Sequence, residues 1–588
     1  MKKEIKTHST SSVQACQNCK KDFTIEPDDF GFYEKMKVSP PTFCPDCRLK
    51  RRAAWRNDWH LFKKKDFLTG ESIFSLFPEE SPVKIYDRNY WWGDGWDPTI
   101  YGREYDFSRP FFEQFKELLN EVPIPATSMT FVVNCHYCSN ANNIKNCYFS
   151  RGLAYTEDSA YLIWDQASKN CFDSHMTNEC ELSYGNVNTI NCYQTFFSVD
   201  CESCQEMTLC RDCVGCNSCF GSVGLRNKSY CIFNTQYTKE DYKKEVSKFN
   251  LGSYQNFQTL KTEAYRHWLK YPQKYMRGRQ NVQVSGDYIY ESKNAKNCYR
   301  VRNTEDSKFV QNILSGPVKD CYDYTNWGEN TELVYDSMIV GVGASNIKFC
   351  VQTFNDVKNL TYSVFCHNSS DLFGCISLRK KQYCILNKQY TKEEYENLMP
   401  KIIKHMTEMT YVENGIIYRY GEYFPPSLSH FPYQITQAYE FFPLNKEEAK
   451  KQGFLWYETV KQDYKITLKT ENIPDGIKDI DERILEHVIE CAHGGSCGQE
   501  CTGAFRIIET ELTFLKRMSI PLPRLCPNCR HYERLSLRNL PSLYHRTCMC
   551  DKKHSHHQGQ CTAQFETSYS PDKPDIVYCE RCYQQEIY

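Results

Sequence analysis

Lys145-Asn-Cys-Tyr-Phe-Ser150 is the first clear copy of a short motif that returns as Asn170-Cys-Phe172, Asn191-Cys-Tyr193, Asn297-Cys-Tyr299 and Asp320-Cys-Tyr322. Each copy joins a polar turn-former, a cysteine and an aromatic residue, and the steps from 147 to 171, 171 to 192 and 298 to 321 are 24, 21 and 23 residues. Units that recur at such a period cannot bury an apolar face alone, so they stack. Weaker apolar–polar runs, Ser159–Trp164 and Ser307–Gln311, fall midway, and each unit is therefore expected to supply two or more short strands. The pattern predicts a parallel β-solenoid with the cysteine pointing inward, Asn or Asp making the turn, and neighbouring coils covering each other's edges.

The solenoid is written twice. Gly221–Tyr242 recurs 153 residues later as Gly374–Tyr395, with fourteen of 22 positions identical. In both copies a strand around Cys231 or Cys384 precedes Thr238 or Thr391, a helix N-cap with an acid three residues on, and that helix is expected to close its solenoid. Residues 246–282 carry Tyr265, Trp268 and Tyr271 in a helical pattern and link the modules. Residues 399–490, with Pro425-Pro426 and a helical stretch near 446–453, are expected to pack and connect.

The two ends match each other as well. Cys16-Gln-Asn-Cys19 is followed by Cys44-Pro-Asp-Cys47-Arg48, and Cys501 by Cys526-Pro-Asn-Cys529-Arg530, with 25 residues separating the knuckles in each case. Two tight turns that converge four thiolates at about 2.3 Å are what tetrahedral Zn²⁺ requires. In the second copy Cys497 is taken as the first ligand, with Cys491 upstream as a competitor. A further unit, Cys548-Met-Cys550 through Cys561 to Cys579-Glu-Arg-Cys582, predicts a third site built from Cys550, Cys561, Cys579 and Cys582. Cys548 or one of His554, His556 and His557 is an alternative to Cys550. Aligning 568–578 with 76–86 places Asp87 and Tyr90 where Cys579 and Cys582 stand. Residues 66–92 therefore read as a metal-free ribbon folded around Tyr86, Tyr90, Trp91 and Trp92.

Over about 35 residues at Cys16–Arg48, and again at Cys497–Arg530, the pattern C-x-x-C, aromatic-rich hairpin, C-P-x-C-R resembles the zinc-ribbon family. With its middle included, the chain looks like a group of long, cysteine-rich proteins of uncultivated small-genome bacteria. The resemblance implies zinc ribbons and carries no activity with it.

The expected fold is mainly β: two tandem parallel β-solenoid modules flanked by small zinc-ribbon domains, with short helices as caps and linkers. The expected boundaries are a ribbon and basic helix over 1–65, a degenerate ribbon and helical linker over 66–125, solenoids over 126–245 and 283–398 joined by 246–282, a connecting region over 399–490, and ribbons over 491–540 and 541–588. Lys plus Arg (72) balances Asp plus Glu (73), so any polyanion-binding surface must be local. Many of the 33 cysteines stand in C-x-x-C pairs, a metal-ligand rather than disulfide spacing, and no apolar leader or spanning segment is evident. A cytoplasmic protein is expected. The stretch after Cys47 interleaves Arg48, Lys50, Arg51, Arg52, Arg56, Lys63, Lys64 and Lys65 with Trp55, Trp59 and Phe62, the aromatics on one face of a helix. It suits phosphate contact and base stacking, or a solvated helix docked by that face.

Cys201, Cys204, Cys210, Cys213, Cys216 and Cys219 are read as buried thiols, with a metal or iron–sulfur site as the alternative. Phosphate loops, nucleophile elbows and open zinc sites are not recognisable. Asp158, Asp165 and Asp173 are the acids a sugar-cleaving β-helix would use. The expected function is a non-catalytic zinc scaffold, with three structural Zn²⁺ sites, that binds nucleic acid or nucleoprotein. Pure protein–protein scaffolding is the alternative, and a carbohydrate-active enzyme or an iron–sulfur protein is less favoured.

Overall fold

In the computed structural model, which describes residues 10–458 and 464–587, the middle of the chain winds into two parallel β-solenoids. The coil is shorter than the sequence intervals suggest. In the first solenoid Glu181 pairs with Tyr193, Tyr193 with Gln205, Gln205 with Asn217 and Asn217 with Ser229, a register of 12 residues. The 24-residue interval between Cys147 and Cys171 therefore spans two coils.

Each coil is built from triplets. Every third residue from Phe131 to Phe233 has a left-handed φ, among them Asn134, Asn146, Asp158, Asn170 and Gly185. Asn, Asp and Gly tolerate this region, whereas β-branched residues do not, and Val, Ile and Thr are absent from that position throughout this stretch. The next residue points inward and the third bridges to the neighbouring coil. Backbone partners serve two of the three amides: Tyr148 N–H donates to the Ser159 carbonyl and Phe149 N–H to that of His136. At many positions the inward residue's own amide is met by a side chain one coil back, as when Cys171 N–H donates to Ser159 Oγ (3.0 Å) and Cys216 N–H to Cys204 Sγ (3.4 Å). A buried amide left without such an acceptor is costly, which favours small polar side chains at inward positions, though Leu153, Leu162 and Met207 also stand there. That preference explains the interior's richness in Ser, Thr and Cys. The inward thiols also donate: Cys171 Sγ lies 3.4 Å from the Lys169 carbonyl and 3.3 Å from that of Cys180.

The second solenoid keeps the 12-residue step at Gly286–Cys298, widens to 14 at Thr304–Val318 and to 13 over the next coils, then returns to 12 at Lys358–Ser370. Each module ends in an antiparallel turn-back, Cys231 opposite Gln236 and Cys384 opposite Gln389. Helices Lys239–Ser247 and Lys392–Glu408 follow. Thr238 and Thr391 cap them by accepting from the amides of Asp241 and Glu394. A linking helix spans Tyr254–Trp268, and its Trp268 Nε1 donates to the Leu209 carbonyl (3.2 Å) of the first solenoid.

The first two cysteine units are each a two-stranded hairpin, a helix and a second helix that starts at the C-P pair: Ser12–Ala15 with Asp22–Ile25, then Pro27–Met36 and Pro45–Ala53 in the N-terminal one. The segment between the knuckles, expected to be hairpin only, thus also holds the helix Pro27–Met36. The helix after Cys44 stops at Ala53, so Trp55, Trp59 and Phe62 do not share a helical face, and Phe62–Lys65 is a strand paired with Ser72–Ser75.

The units cross over. The N-terminal unit docks on the second solenoid, where Phe32 stacks on Tyr322 at 3.8 Å. The C-terminal unit docks on the first, where Phe514 lies 4.8 Å from Phe172. Lys319-Asp-Cys-Tyr-Asp323 and Lys169-Asn-Cys-Phe-Asp173 are corresponding docking sites. The outer units follow the same rule: Arg379 of the second solenoid donates to the carbonyls of Trp92 and Gly93, while Arg226 of the first lies 2.9 Å from Tyr583 Oη.

Candidate metal centres

The C-P-x-C sequence has a direct structural meaning. Cys44 is the N-cap of helix Pro45–Ala53, Pro45 its first residue and Cys47 its third. Cys526 and Cys529 stand in the same relation to Pro527–Ser536. Proline fits the first helical position because no N–H is needed there, and the positive end of the helix favours a thiolate beside it. The hairpin supplies the other pair. Cys16, Cys19, Cys44 and Cys47 bring their sulfurs within 4.8 Å of one another, with Cys19 and Cys44 at 3.6 Å. Four sulfurs bound at about 2.3 Å to one tetrahedral ion would sit about 3.8 Å apart, so the spacing fits a shared cation. It does not fit a disulfide, and among the described residues every cysteine is a free thiol. Asn18 Nδ2 lies 3.4 Å from Cys47 Sγ as a supporting donor. Thiol donation from Cys44 and Cys47 pulls the titration of Cys16 down, while Cys44 is driven up.

In the second unit the expectation of Cys497 is corrected in favour of Cys491. Cys491, Cys501, Cys526 and Cys529 form the quartet. The backbone shows why: Cys16 N–H donates to the Lys21 carbonyl and Gln17 N–H to that of Thr42, and Cys491 N–H donates to Gly503 and Ala492 N–H to Arg524 in the corresponding places. The knuckle carries an insertion, which hides the correspondence from a fixed C-x-x-C spacing. Cys497 Sγ stands 3.6 Å from Cys529 Sγ as a fifth sulfur. Cys526 N–H donates to Cys491 Sγ (3.3 Å), and the neighbouring Cys491 is the largest cause that lowers the Cys526 titration to about 4.

The third unit needs a similar correction. Cys548, not Cys550, completes the quartet with Cys561, Cys579 and Cys582. Its N–H donates to the Ala563 carbonyl and Met549 N–H to that of Val577, the same two bonds again. Cys550 faces the His554–His557 loop instead, with His554 Nε2 3.1 Å from its sulfur. In the unit without thiolates, Asp66 N–H donates to Glu71 and Phe67 N–H to Ile85, so Asp66, Thr69, Asp87 and Tyr90 hold the four ligand positions. Asp87 instead caps the helix Arg88–Trp92 by accepting from the amides of Asn89 and Tyr90.

The basic segment does not face outward. Arg48, Arg51, Arg52, Arg56 and Trp55 are buried, and Lys64 is spent on the carbonyls of Glu79 and Ser81. Arg48 Nε meets Asp323 at 2.8 Å. Arg52 Nη1 meets Asp336 at 2.6 Å and Asp323 at 3.2 Å, and Arg51 lies 3.5 Å from Glu422. Trp55 packs at 5.1 Å on Phe424. Lys50 reaches Gln452 (3.3 Å), leaving Lys63 and Lys65 exposed. A guanidinium held between buried carboxylates is not available to a phosphate. The C-terminal unit repeats the arrangement: Arg530 meets Glu511 at 2.7 Å, Arg534 meets Asp173 at 2.5 Å, and Arg538 lies 2.8 Å from His175 Nε2. The arginines that follow each C-P-x-C are docking residues.

Within the first solenoid Cys210, Cys213, Cys216 and Cys219 fill one complete coil with inward sulfurs. They are spaced by three because the coil turns a corner every three residues. Each donates to the carbonyl two residues back, at 3.4–3.5 Å. The acids considered for sugar chemistry do not converge: Asp158 accepts from Asn146 on the surface, Asp165 points inward between Thr156 and Thr177, and Asp173 is held by Arg530 and Arg534. Among the described residues no helix is long and apolar enough to cross a membrane. No family model and no curated protein matches the chain.

Proposed function

We propose that this chain is a non-catalytic scaffold whose terminal ribbons are folded by structural Zn²⁺ and lock two solenoids together, and that its partner is a protein. The thiolate quartets are Cys16, Cys19, Cys44, Cys47; Cys491, Cys501, Cys526, Cys529; and Cys548, Cys561, Cys579, Cys582. Four thiolates leave a tetrahedral ion no open position for substrate, so these sites support structure rather than catalysis. Units this small bury too little apolar surface to hold themselves, and metal binding supplies their stability.

One observation carries the choice of partner: the arginines that made nucleic acid the first expectation are consumed in buried ion pairs with Asp323, Asp336 and Asp173. Binding of mixed-sequence RNA and DNA, titrated in salt, tests it. No saturable binding is expected up to about 10 µM protein at low salt, because phosphate contact needs exposed cations. Saturable binding with a steep salt slope that weakens when Lys63 and Lys65 become Gln would overturn the reading in favour of a polyanion.

A further inference from the structure

The third terminal unit carries more metal-binding side chains than one ion can use. Cys548 and Cys561 come from its knuckle and Cys579 and Cys582 from its helix start, and these four complete the quartet. Between Cys548 and Cys561 the knuckle is expanded by a loop, Met549–Gln560, which holds Cys550, His554, His556 and His557. That loop folds back on the quartet. Cys550, His554, His557 and Cys582 place one sulfur or nitrogen atom each within 4.8 Å of all the others.

The orientation of each side chain suits a second cation. Cys550 is fully buried, and its sulfur lies 3.1 Å from His554 Nε2. His557 Nε2 lies 3.1 Å from Cys582 Sγ, while its Nδ1 lies 2.9 Å from the Gly559 carbonyl. A carbonyl at Nδ1 fixes the proton there and leaves the Nε2 lone pair facing the thiol, the arrangement that orients metal-bound imidazole. His554 and His557 are tied to each other by a backbone hydrogen bond from His554 N–H to the His557 carbonyl (3.0 Å), so the loop presents both rings together.

We propose that this unit binds two Zn²⁺ ions, the second held by Cys550, His554 and His557 with the Cys582 thiolate shared between both. Two thiolates and two imidazoles form one of the standard donor sets for zinc, and the mixture of borderline nitrogen and soft sulfur disfavours Mg²⁺ and Ca²⁺. The proposal rests on the zinc reading of the quartets. It adds one ion to the three they hold.

Elemental analysis of the purified full-length chain tests both together. Four zinc equivalents are expected, falling to three in the double variant His554→Ala/His557→Ala. A count of three that the double variant leaves unchanged would overturn the second ion while leaving the quartets intact. Four equivalents that survive the double variant would overturn the assignment to these residues, and two or fewer would overturn the quartet reading itself. Replacement of zinc by ¹¹³Cd in the unaltered chain gives an independent readout that does not depend on a variant folding. Two cadmium resonances split by mutual coupling are expected from a shared thiolate, and uncoupled resonances alone would refute the sharing.

Discussion

Replacing Asp323 by asparagine removes the carboxylate that holds two arginines at once. Arg48 Nε lies 2.8 Å from one oxygen and Arg52 Nη1 3.2 Å from the other, and the side chains of all three residues are at most 2% exposed. Asparagine keeps the volume and one acceptor but not the charge. Arg48 is then left buried without its anion, and Arg52 retains only Asp336. Breaking a buried pair by removing one partner costs about 3–5 kcal/mol, and the surviving acceptor places Asp323→Asn near the lower end, about 3–4 kcal/mol. The penalty falls on docking of the N-terminal unit, so the equilibrium for opening that interface should rise about 100- to 1,000-fold. Native-state hydrogen exchange at the amides of helix Pro45–Ala53 reads it directly, with protection expected to fall by that factor while the first solenoid keeps its own. The exposed Lys63→Gln serves as control and should change stability by less than about 0.5 kcal/mol. A loss of protection below about threefold in Asp323→Asn would refute the docking role assigned to these arginines.

Burial raises the Asp165 carboxyl to about 6 against the opposing pull of Thr177 and Thr156. A raised folded pKa penalises the ionised form, so this group weakens the fold as pH climbs from about 4 through 6. Asp165→Asn should therefore stabilise the chain at pH 7 by about 2–3 kcal/mol and by almost nothing near pH 4, measured as the difference in melting between variant and parent; equal stability at pH 7 would contradict this. Asn170, with φ near 52°, should tolerate Gly but lose about 1–2 kcal/mol as Val in urea unfolding, because a branched side chain clashes in the left-handed region. Cys44→Ser should cost one zinc equivalent and loosen only the N-terminal unit, and Cys526→Ser only its C-terminal counterpart, as seen by limited proteolysis; simultaneous loss of both units from either variant would contradict local folding.

The solenoid was legible because its chemistry is periodic. Asn or Asp before an inward Cys announces the left-handed corner, and repetition of Gly221–Tyr242 as Gly374–Tyr395 announces two modules. The 12-residue coil was obscured because full Asn-Cys-aromatic copies recur at different corners, 24 residues from Cys147 to Cys171 but 21 from Cys171 to Cys192, with Ser and Thr filling inward places between. The C-P-x-C halves of the candidate centres were plain, since proline at the first helical position fixes their spacing. Cys491 and Cys548 were misjudged because insertions place nine and twelve residues between each and its partner cysteine, and only the hairpin's backbone bonds reveal the equivalence. The burial of the arginines after Cys47 was not legible for a different reason: charge in a sequence does not say whether its counter-charge is solvent or Asp323, 275 residues downstream of Arg48.

That separation bears on synthesis. The N-terminal unit leaves the ribosome first, yet the surface that receives it does not exist until the second solenoid emerges. At about 5–20 residues per second the wait is about 15–55 s, during which Arg48, Arg52 and the Phe32 face stand uncovered. The first solenoid waits in turn for a unit at the far end of the chain, because Arg530 and Arg534 arrive more than 350 residues after Asp173. Neither half is finished without the other, and an interrupted translation product would expose an unfilled docking face in each case.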